Sequence, residues 1–246
     1  MKGIIMAGDA GTGLNPITLG LPKQLLPVYS KPMIYYPMAI LIESGIKEIL
    51  IITSKEHKDT FCYALGDGSS FGVQITYASQ EQPEGIAQAI MIGQEFIGNE
   101  SACLITGDTV ILGDNLQRTL TKAFKAAEKS GNATIFVDND YDPQQYGMVV
   151  LGKNGKVEEI TGTTQKPNYY SITGLYVFPN SVMKHIFSIE KSERNRYEMT
   201  SVSKVFHNKN KLQIQKLPAD CKWLNTNTFD DLLESSQYVK DYDKNR

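Results

Sequence analysis

Met1-Lys-Gly-Ile-Ile-Met-Ala-Gly8-Asp-Ala-Gly11-Thr-Gly13-Leu-Asn-Pro16, followed by Lys23-Gln-Leu-Leu-Pro27, decides how this chain folds. Gly3 to Ala7 is a short apolar run bounded by glycines, the pattern of a strand buried on both faces in a parallel sheet. Gly8, Gly11 and Gly13 follow closely, so the backbone there can turn sharply and gather N–H groups around an anion. The run predicts a phosphate-bearing ligand at the carboxyl end of the first strand, although the glycines alone suit an ordinary turn equally well. A Walker loop is excluded, because Leu14 stands where Lys-Ser/Thr is required. A dinucleotide fingerprint is excluded too. The loop runs G-x-x-G-x-G, and Pro32-Met33-Ile34-Tyr35-Tyr36 occupies the region where an acidic residue is needed.

Outward from that stretch, the chain of 246 residues has 41% apolar and 21% charged residues, the composition of a globular protein with a full core. A net charge of -2 gives no expectation of nucleic acid or a membrane surface as partner. No apolar run has the length of a membrane span and no signal segment opens the chain, so a cytoplasmic protein is expected. Cys62, Cys103 and Cys221 are odd in number and far apart, which suits neither a disulfide framework nor a zinc site.

Helical and strand patterns alternate through the first half. Helical spacing covers Met33 to Ser44, Lys55 to Leu65, Gly85 to Ile97 and Leu116 to Ser130. Strand patterns cover Glu48 to Thr53, Val73 to Ala78, Ala102 to Thr106 and Ala133 to Val137. The alternation predicts an α/β fold of Rossmann-like type, a mixed, mainly parallel sheet with helices on both faces. Ligands of such sheets collect at the carboxyl ends of strands, where the glycine loop and Asp108 both fall. The pattern then changes. Gly147 to Leu151 and Val157 to Ile160 flank an Asn154-Gly155 hairpin signal. Ser171 to Phe178 and Leu212 to Leu217 read as strands, with helices at Ser181 to Phe187 and Glu198 to His207. Phe229 to Val239 reads as a closing helix and Lys240 to Arg246 as a charged, solvated tail. We expect one domain over 1–246, with a nucleotide-binding core at 1–140 and a smaller sugar-binding portion with the closing helix at 141–246.

Several separated segments carry a resemblance. They include Met1-Lys-Gly-Ile-Ile, Lys23-Gln-Leu-Leu-Pro-Val, Lys31-Pro-Met-Ile-Tyr-Tyr-Pro37, Leu65-Gly-Asp-Gly-Ser and Gly85-Ile-Ala-Gln-Ala89. Asp142-Pro143 through Tyr146-Gly147, Thr173-Gly-Leu-Tyr176 and Ser192-Glu-Arg194 continue it. Over nearly its whole length the chain resembles glucose-1-phosphate thymidylyltransferases, sugar nucleotidyltransferases that make dTDP-glucose from dTTP and glucose 1-phosphate with Mg2+. The resemblance implies that Gly8, Gly11, Gln80, Gly85 and Asp108 contact the nucleotide. Lys23 then faces the phosphates, Asp108 is a metal ligand, and Gly147, Ile172, Tyr176 and Arg194 contact the sugar. Lys23, Asp108 and Arg194 would be the catalytic groups, and a homo-oligomer is expected. In this chemistry the sugar phosphate attacks the α-phosphorus and pyrophosphate leaves, so catalysis is mainly positioning and charge neutralisation.

Other positions depart from the family's pattern. Its loop G-G-x-G-T-R-L places Asp9 at a glycine and Gly13 at the arginine that meets the leaving phosphates. Its G-D-N is Gly107-Asp108-Thr109. Its E-E-K-P, a sugar-binding glutamate and a phosphate-binding lysine, is Thr161-Gly162-Thr163-Thr164. Its R-G-E-L-E is Arg194-Asn195-Arg196-Tyr197-Glu198. Its W-L-D-T-G-T is Trp223-Leu224-Asn225-Thr226-Asn227-Thr228, so Asn225 replaces the second metal aspartate. An arginine at such a centre is worth roughly 10³- to 10⁵-fold in rate. Three readings follow: a thymidylyltransferase using Lys23, Asp108 and Arg194, or a non-catalytic nucleotide or nucleotide-sugar binder partnering an active homologue. The third is an enzyme of altered substrate with Arg196 or Lys166 as substitute cations. The joint state of positions 9, 13, 163 and 225 favours impaired catalysis, with Mg2+ held weakly or not at all.

Overall fold

β1 (Lys2–Ala7) runs through the middle of the sheet, as its unbroken apolar sequence requires. The computed structural model describes residues 1–139, 147–153, 155–162 and 168–245. After β1 come β2 (Pro27–Val28), β3 (Lys31–Pro32), α1 (Tyr35–Glu43), β4 (Glu48–Ser54), α2 (Lys58–Leu65) and β5 (Gln74–Gln80). The first half continues with α3 (Gln88–Ile92), α4 (Gln94–Ile97), β6 (Ala102–Thr106), β7 (Val110–Leu112), α5 (Leu116–Ser130) and β8 (Ala133–Asp138). The second half holds β9 (Met148–Leu151), β10 (Val157–Thr161), β11 (Tyr169–Phe178), α6 (Met183–Ile186), α7 (Met199–Asn208), β12 (Leu212–Lys216), β13 (Lys222–Leu224) and α8 (Phe229–Lys244).

β1 pairs in parallel with β4 and β6, and β5 lies parallel outside β4. β11 then pairs antiparallel with β6, β8 and β9, so the second half extends the same sheet. β9 and β10 form the expected antiparallel hairpin, although Asn154 at its tip lies outside the described residues. Successive side chains of a strand face opposite ways. Ile5 and Ala7 accordingly pack with Met38, Leu41, Phe61, Leu120 and Phe124 from α1, α2 and α5. Ile4 and Met6 pack with Ala89, Ile90, Val202 and Phe206 from α3 and α7. Helices cover both faces, as the alternation predicts.

Two expectations need correction. The helix expected over Gly85 to Ile97 is two short helices that meet at Gly93. A Cβ there would come within 3.0 Å of both the Ala89 carbonyl oxygen and Ile4 Cδ1, so the glycine lets the segment press onto β1. The solvated tail is the end of α8, which continues to Lys244. Tyr242 reaches Asp114 at 3.4 Å and Asp243 pairs with Lys31 at 3.6 Å, and these contacts hold the last turns down.

Candidate active site

The residues after β1, the residues after β6 and the last residue of β5 converge at one end of the sheet. At their centre is Lys23, on a short 3-10 turn, with only 1% of its surface exposed. Its Nζ donates to Asp108 Oδ2 at 2.6 Å and to Asn227 Oδ1 at 2.7 Å, and lies 3.8 Å from Asp9 Oδ2. Gly11 makes this burial possible. Its φ of +60° suits glycine, and a Cβ would lie 2.7 Å from Lys23 Cβ, so the lysine stem passes directly under the loop. Thr18 Oγ1 donates to the Gly11 carbonyl at 2.9 Å and fixes that turn.

Asp108 is held from several sides. Burial pushes its carboxyl up, but the Lys23 ammonium and hydrogen bonds from Lys23 and Thr106 outweigh burial and hold it below the usual carboxylate range. The next residue, Thr109, is buried; its hydroxyl lies 2.6 Å from that of Thr106 and donates to the Thr173 carbonyl at 3.0 Å. The Asp108 turn is thereby tied to β11. On the other side Thr226 Oγ1 donates to the Asp108 carbonyl at 3.4 Å, and Asn225 Oδ1 accepts from Asn227 N at 3.2 Å. Gly13 sits against the same segment: a Cβ at position 13 would run into the Asn227 carbonyl oxygen.

A second group surrounds Gln80. A Cβ on Gly8 would run into its Oε1, and its Nε2 donates to Gln88 Oε1. Gln88 Oε1 also accepts from Glu84 N at 3.2 Å, while Gln88 Nε2 donates to Glu84 Oε2 at 3.2 Å. The Lys191 ammonium closes the chain by pairing with Glu84 Oε1, and it lies 5.2 Å from the centre of the Tyr197 ring. Gly85, at φ +105°, packs directly on the Tyr197 backbone, and Tyr197 N donates to the Glu84 carbonyl at 2.6 Å.

The expected site residues therefore fall into groups. Gly8, Gly11, Lys23, Gln80 and Asp108 line the strand ends, with Gly85 on the adjoining loop. Gly147 and Ile172 adjoin each other across β9 and β11, linked by Ile172 N donating to the Gly147 carbonyl at 2.8 Å, with Thr200 beside them. Tyr176 packs in the core, stacked on Phe178 at 6.1 Å, and burial raises its hydroxyl far above the ordinary value, with the nearby Glu198 adding to it. Arg194 is exposed and makes no hydrogen bond or ion pair with the described residues. Thr163, Thr164 and Lys166 lie outside the described residues. Asn227, Glu84, Gln88 and Lys191 went unread in the sequence as site residues. Gln88 lies within the quoted Gly85-Ile-Ala-Gln-Ala89 segment, and Asn227 stands where the family has glycine. Those were the available signals.

The donor set fits Mg2+ poorly. The ion wants near-octahedral oxygens at about 2.0–2.1 Å, with carboxylates supplying the charge. Among the described residues the centre offers Asp108, whose Oδ2 is committed to an ammonium, the largely exposed Asp9 beside that same ammonium, and the neutral amide of Asn225. An ion on that Oδ2, at about 2.1 Å, would stand no more than about 4.7 Å from the Lys23 charge.

A lysine–aspartate centre under a glycine loop, at the carboxyl ends of a mixed sheet, marks a phosphate-handling α/β protein. The chain belongs to the nucleotidyl transferase family, whose model matches residues 2–242. It is 41% identical to the glucose-1-phosphate thymidylyltransferase of Mycolicibacterium smegmatis over 241 residues, covering 98% of this chain and 82% of the relative. With the corresponding Mycobacterium tuberculosis protein it shares 43% over 242 residues, again 98% and 82%. Its structure resembles that of a putative glucose-1-phosphate thymidylyltransferase from Bacillus anthracis crystallised with sucrose. The TM-score is 0.88 and the identity 32%, over 98% of this chain and 96% of the other. UDP-glucose pyrophosphorylase bound to UDP-glucose shares the fold at a TM-score of 0.82 and 19% identity, covering 100% and 99% of the two chains. Among the described residues, no helix is long and apolar enough to cross a membrane.

Proposed function

We propose that this chain holds a thymidine nucleotide and a hexose 1-phosphate in the manner of its relatives, and forms dTDP-glucose from dTTP and glucose 1-phosphate only slowly. The relatives are glucose-1-phosphate thymidylyltransferases, and the substrates proposed follow from theirs. In the reaction a phosphate oxygen of the sugar phosphate attacks the α-phosphorus, the α–β bridging bond breaks, and pyrophosphate leaves.

One observation carries the slow half of the reading. The Asn227 backbone closes the space at position 13, so the site is rebuilt around the missing arginine rather than merely lacking it. The same residue's side chain takes a hydrogen bond from Lys23, which is also paired with Asp108. The cation expected to face the phosphates is thus occupied within the protein. Loss of an arginine at a phosphoryl-transfer centre costs roughly 10³- to 10⁵-fold, and groups acting as one unit do not lose rate additively.

Support for nucleotide binding is the Gln80 amide, buried and oriented by Gln88 beside Gly8. An amide offers both an acceptor and a donor, the pair required by the N3–H and O4 edge of thymine. The test incubates purified protein with dTTP and glucose 1-phosphate, with and without Mg2+, and follows pyrophosphate. Release slower than about 0.01 s⁻¹ is expected, against about 10 s⁻¹ for a typical enzyme. Release at the typical rate would overturn the impaired reading. Heat-stability shifts with dTTP and dTDP-glucose test occupancy, and no shift with either would remove the nucleotide.

A further inference from the structure

The charges around Lys23 choose among nucleotides. We propose that the site selects an uncomplexed nucleoside diphosphate hexose over a nucleoside triphosphate, with the Lys23 ammonium standing as a fixed internal cation in place of a divalent metal. The proposal rests on the reading that the site holds a nucleotide, and refines which one.

The ammonium is built in rather than mobile. Its stem is pinned beneath Gly11, and the residue is almost wholly buried. Its oxygen partners come from separate parts of the chain: Asp108 after β6 and Asn227 before α8, with Asp9 after β1 somewhat further away. An ammonium has three donors, and two of them are already directed at Asp108 and Asn227. A divalent ion gains little here, because the ammonium already stands between the two carboxylates, 2.6 Å from Asp108 and 3.8 Å from Asp9, and Asn225 brings no charge.

The same arrangement is hostile to a triphosphate. Asp9 and Asp108 against Lys23 leave the loop with a net negative charge. Asp9 is more than half exposed, its side chain at 58%, with Oδ2 3.8 Å from the buried ammonium. Its charge therefore stays open to water at the glycine loop. The resemblance puts the leaving phosphates at this loop, and the arginine that would meet them is absent at Gly13. Free dTTP near neutral pH carries roughly four negative charges, most of them on the β- and γ-phosphates that these positions would face. A nucleoside diphosphate hexose carries about two, and its β-phosphate bears the sugar, which directs it toward Gly147 and Ile172 instead. Like charges set against a competing ligand are one of the ways a site rejects it. The base-reading group around Gln80 and the face of β11 remain intact for the retained ligand.

Calorimetric titration of the full chain with dTDP-glucose and with dTTP, each in EDTA and in Mg2+ at low salt, tests this. In EDTA the Kd for dTDP-glucose is expected to be at least tenfold lower than that for dTTP. Mg2+ should change the dTDP-glucose value by less than twofold. Asp9→Asn keeps the side-chain shape, removes the exposed charge, and should tighten dTTP at least threefold while moving dTDP-glucose less than twofold. Equal or tighter binding of dTTP by the unmodified chain would overturn the selection. Tightening of dTDP-glucose by tenfold or more with Mg2+ would overturn the internal-cation role. An Asp9→Asn chain with unchanged dTTP affinity would overturn the charge mechanism. Binding of neither ligand would instead remove the nucleotide reading on which the proposal stands.

Discussion

Lys23 and Asp108 show how a single pair sets the behaviour of a site. Taking two charges out of water is costly, and removing one partner of a buried pair strands the other, typically at about 3–5 kcal/mol. Lys23→Met should destabilise the chain by roughly that amount at pH 7. The pH dependence gives the sharper test. In the native chain the Asp108 carboxyl lies below its ordinary range, so its contribution is complete at neutral pH and is lost as pH falls through the folded value, below about 4. Without the ammonium burial is opposed only by the hydrogen bonds from Thr106 and the Asp108 backbone, so the folded carboxyl rises and protonation on acidification relieves the chain. The gap in stability between the native chain and Lys23→Met should therefore narrow as pH falls from 7 toward 5, measured by urea unfolding. A gap that stays constant would mean that Lys23 contributes packing rather than charge. Gly13 makes the complementary point. Its value lies in the absence of a Cβ, because the Asn227 carbonyl occupies that space.

At the scale of elements, the loop between β5 and α3 is positioned by a relay that no periodicity announces. Lys191 holds Glu84, Glu84 orients the Gln88 amide, and Gln88 fixes which way Gln80 presents its own. Gln88 Oε1 takes two donors, so its amide has one satisfactory orientation while Glu84 remains a carboxylate. Glu84→Ala should weaken dTDP-glucose binding about tenfold and reduce discrimination against cytosine nucleotides, because Gln80 can then rotate. A tenfold change is about 1.4 kcal/mol, in the range for a hydrogen bond to a charged group. The melting temperature should hardly move, since the ion pair is partly open to water. Calorimetric titration of both ligands alongside a thermal scan separates the two effects; a large drop in melting temperature with unchanged discrimination would reject the relay. Such relays explain what the sequence leaves unread. Lys191 and Glu84 are 107 residues apart, and Lys23 and Asn227 are 204 apart. Leu116–Ser130, by contrast, was read to the residue, because its apolar positions Leu116, Leu120, Ala123, Phe124 and Ala127 repeat at helical spacing and Gly131 ends it. β7 and β13, three residues each, pair with one another at a separation no local pattern could show. The position of α8 was legible and its length was not. Its start is set by a Thr228–Asp231 capping box, while its end depends on contacts with Lys31 and Asp114.

Across the whole molecule the question is whether the first half, residues 1–140, can stand without the second. The alternating first half looks self-sufficient on paper, yet β11 lies against β6, with Leu175 opposite Ile105 and Phe178 opposite Ala102. Remove it and the central region gains an open, apolar edge, which invites association with other chains. The cores on the two faces of β1 make the same demand. Ile4 and Met6 of β1 share one cluster with Met199, Val202 and Phe206 of α7, and Ile5 shares the other with Val177 and Trp223. Neither half retains a closed core when the other leaves. Trp223 is the only tryptophan, and it belongs to the second half while packing among first-half residues. Its fluorescence therefore reports on docking of the halves, whereas far-UV circular dichroism reports mainly on helices spread over both. If the halves fold as one unit, the two signals should follow a single urea transition with the same midpoint. Chains of this size commonly populate intermediates when their parts are separable. A fluorescence transition that precedes the loss of helix would show that the second-half strands undock first. The site at the strand ends would then be assembled by docking of the halves rather than carried by the first half alone.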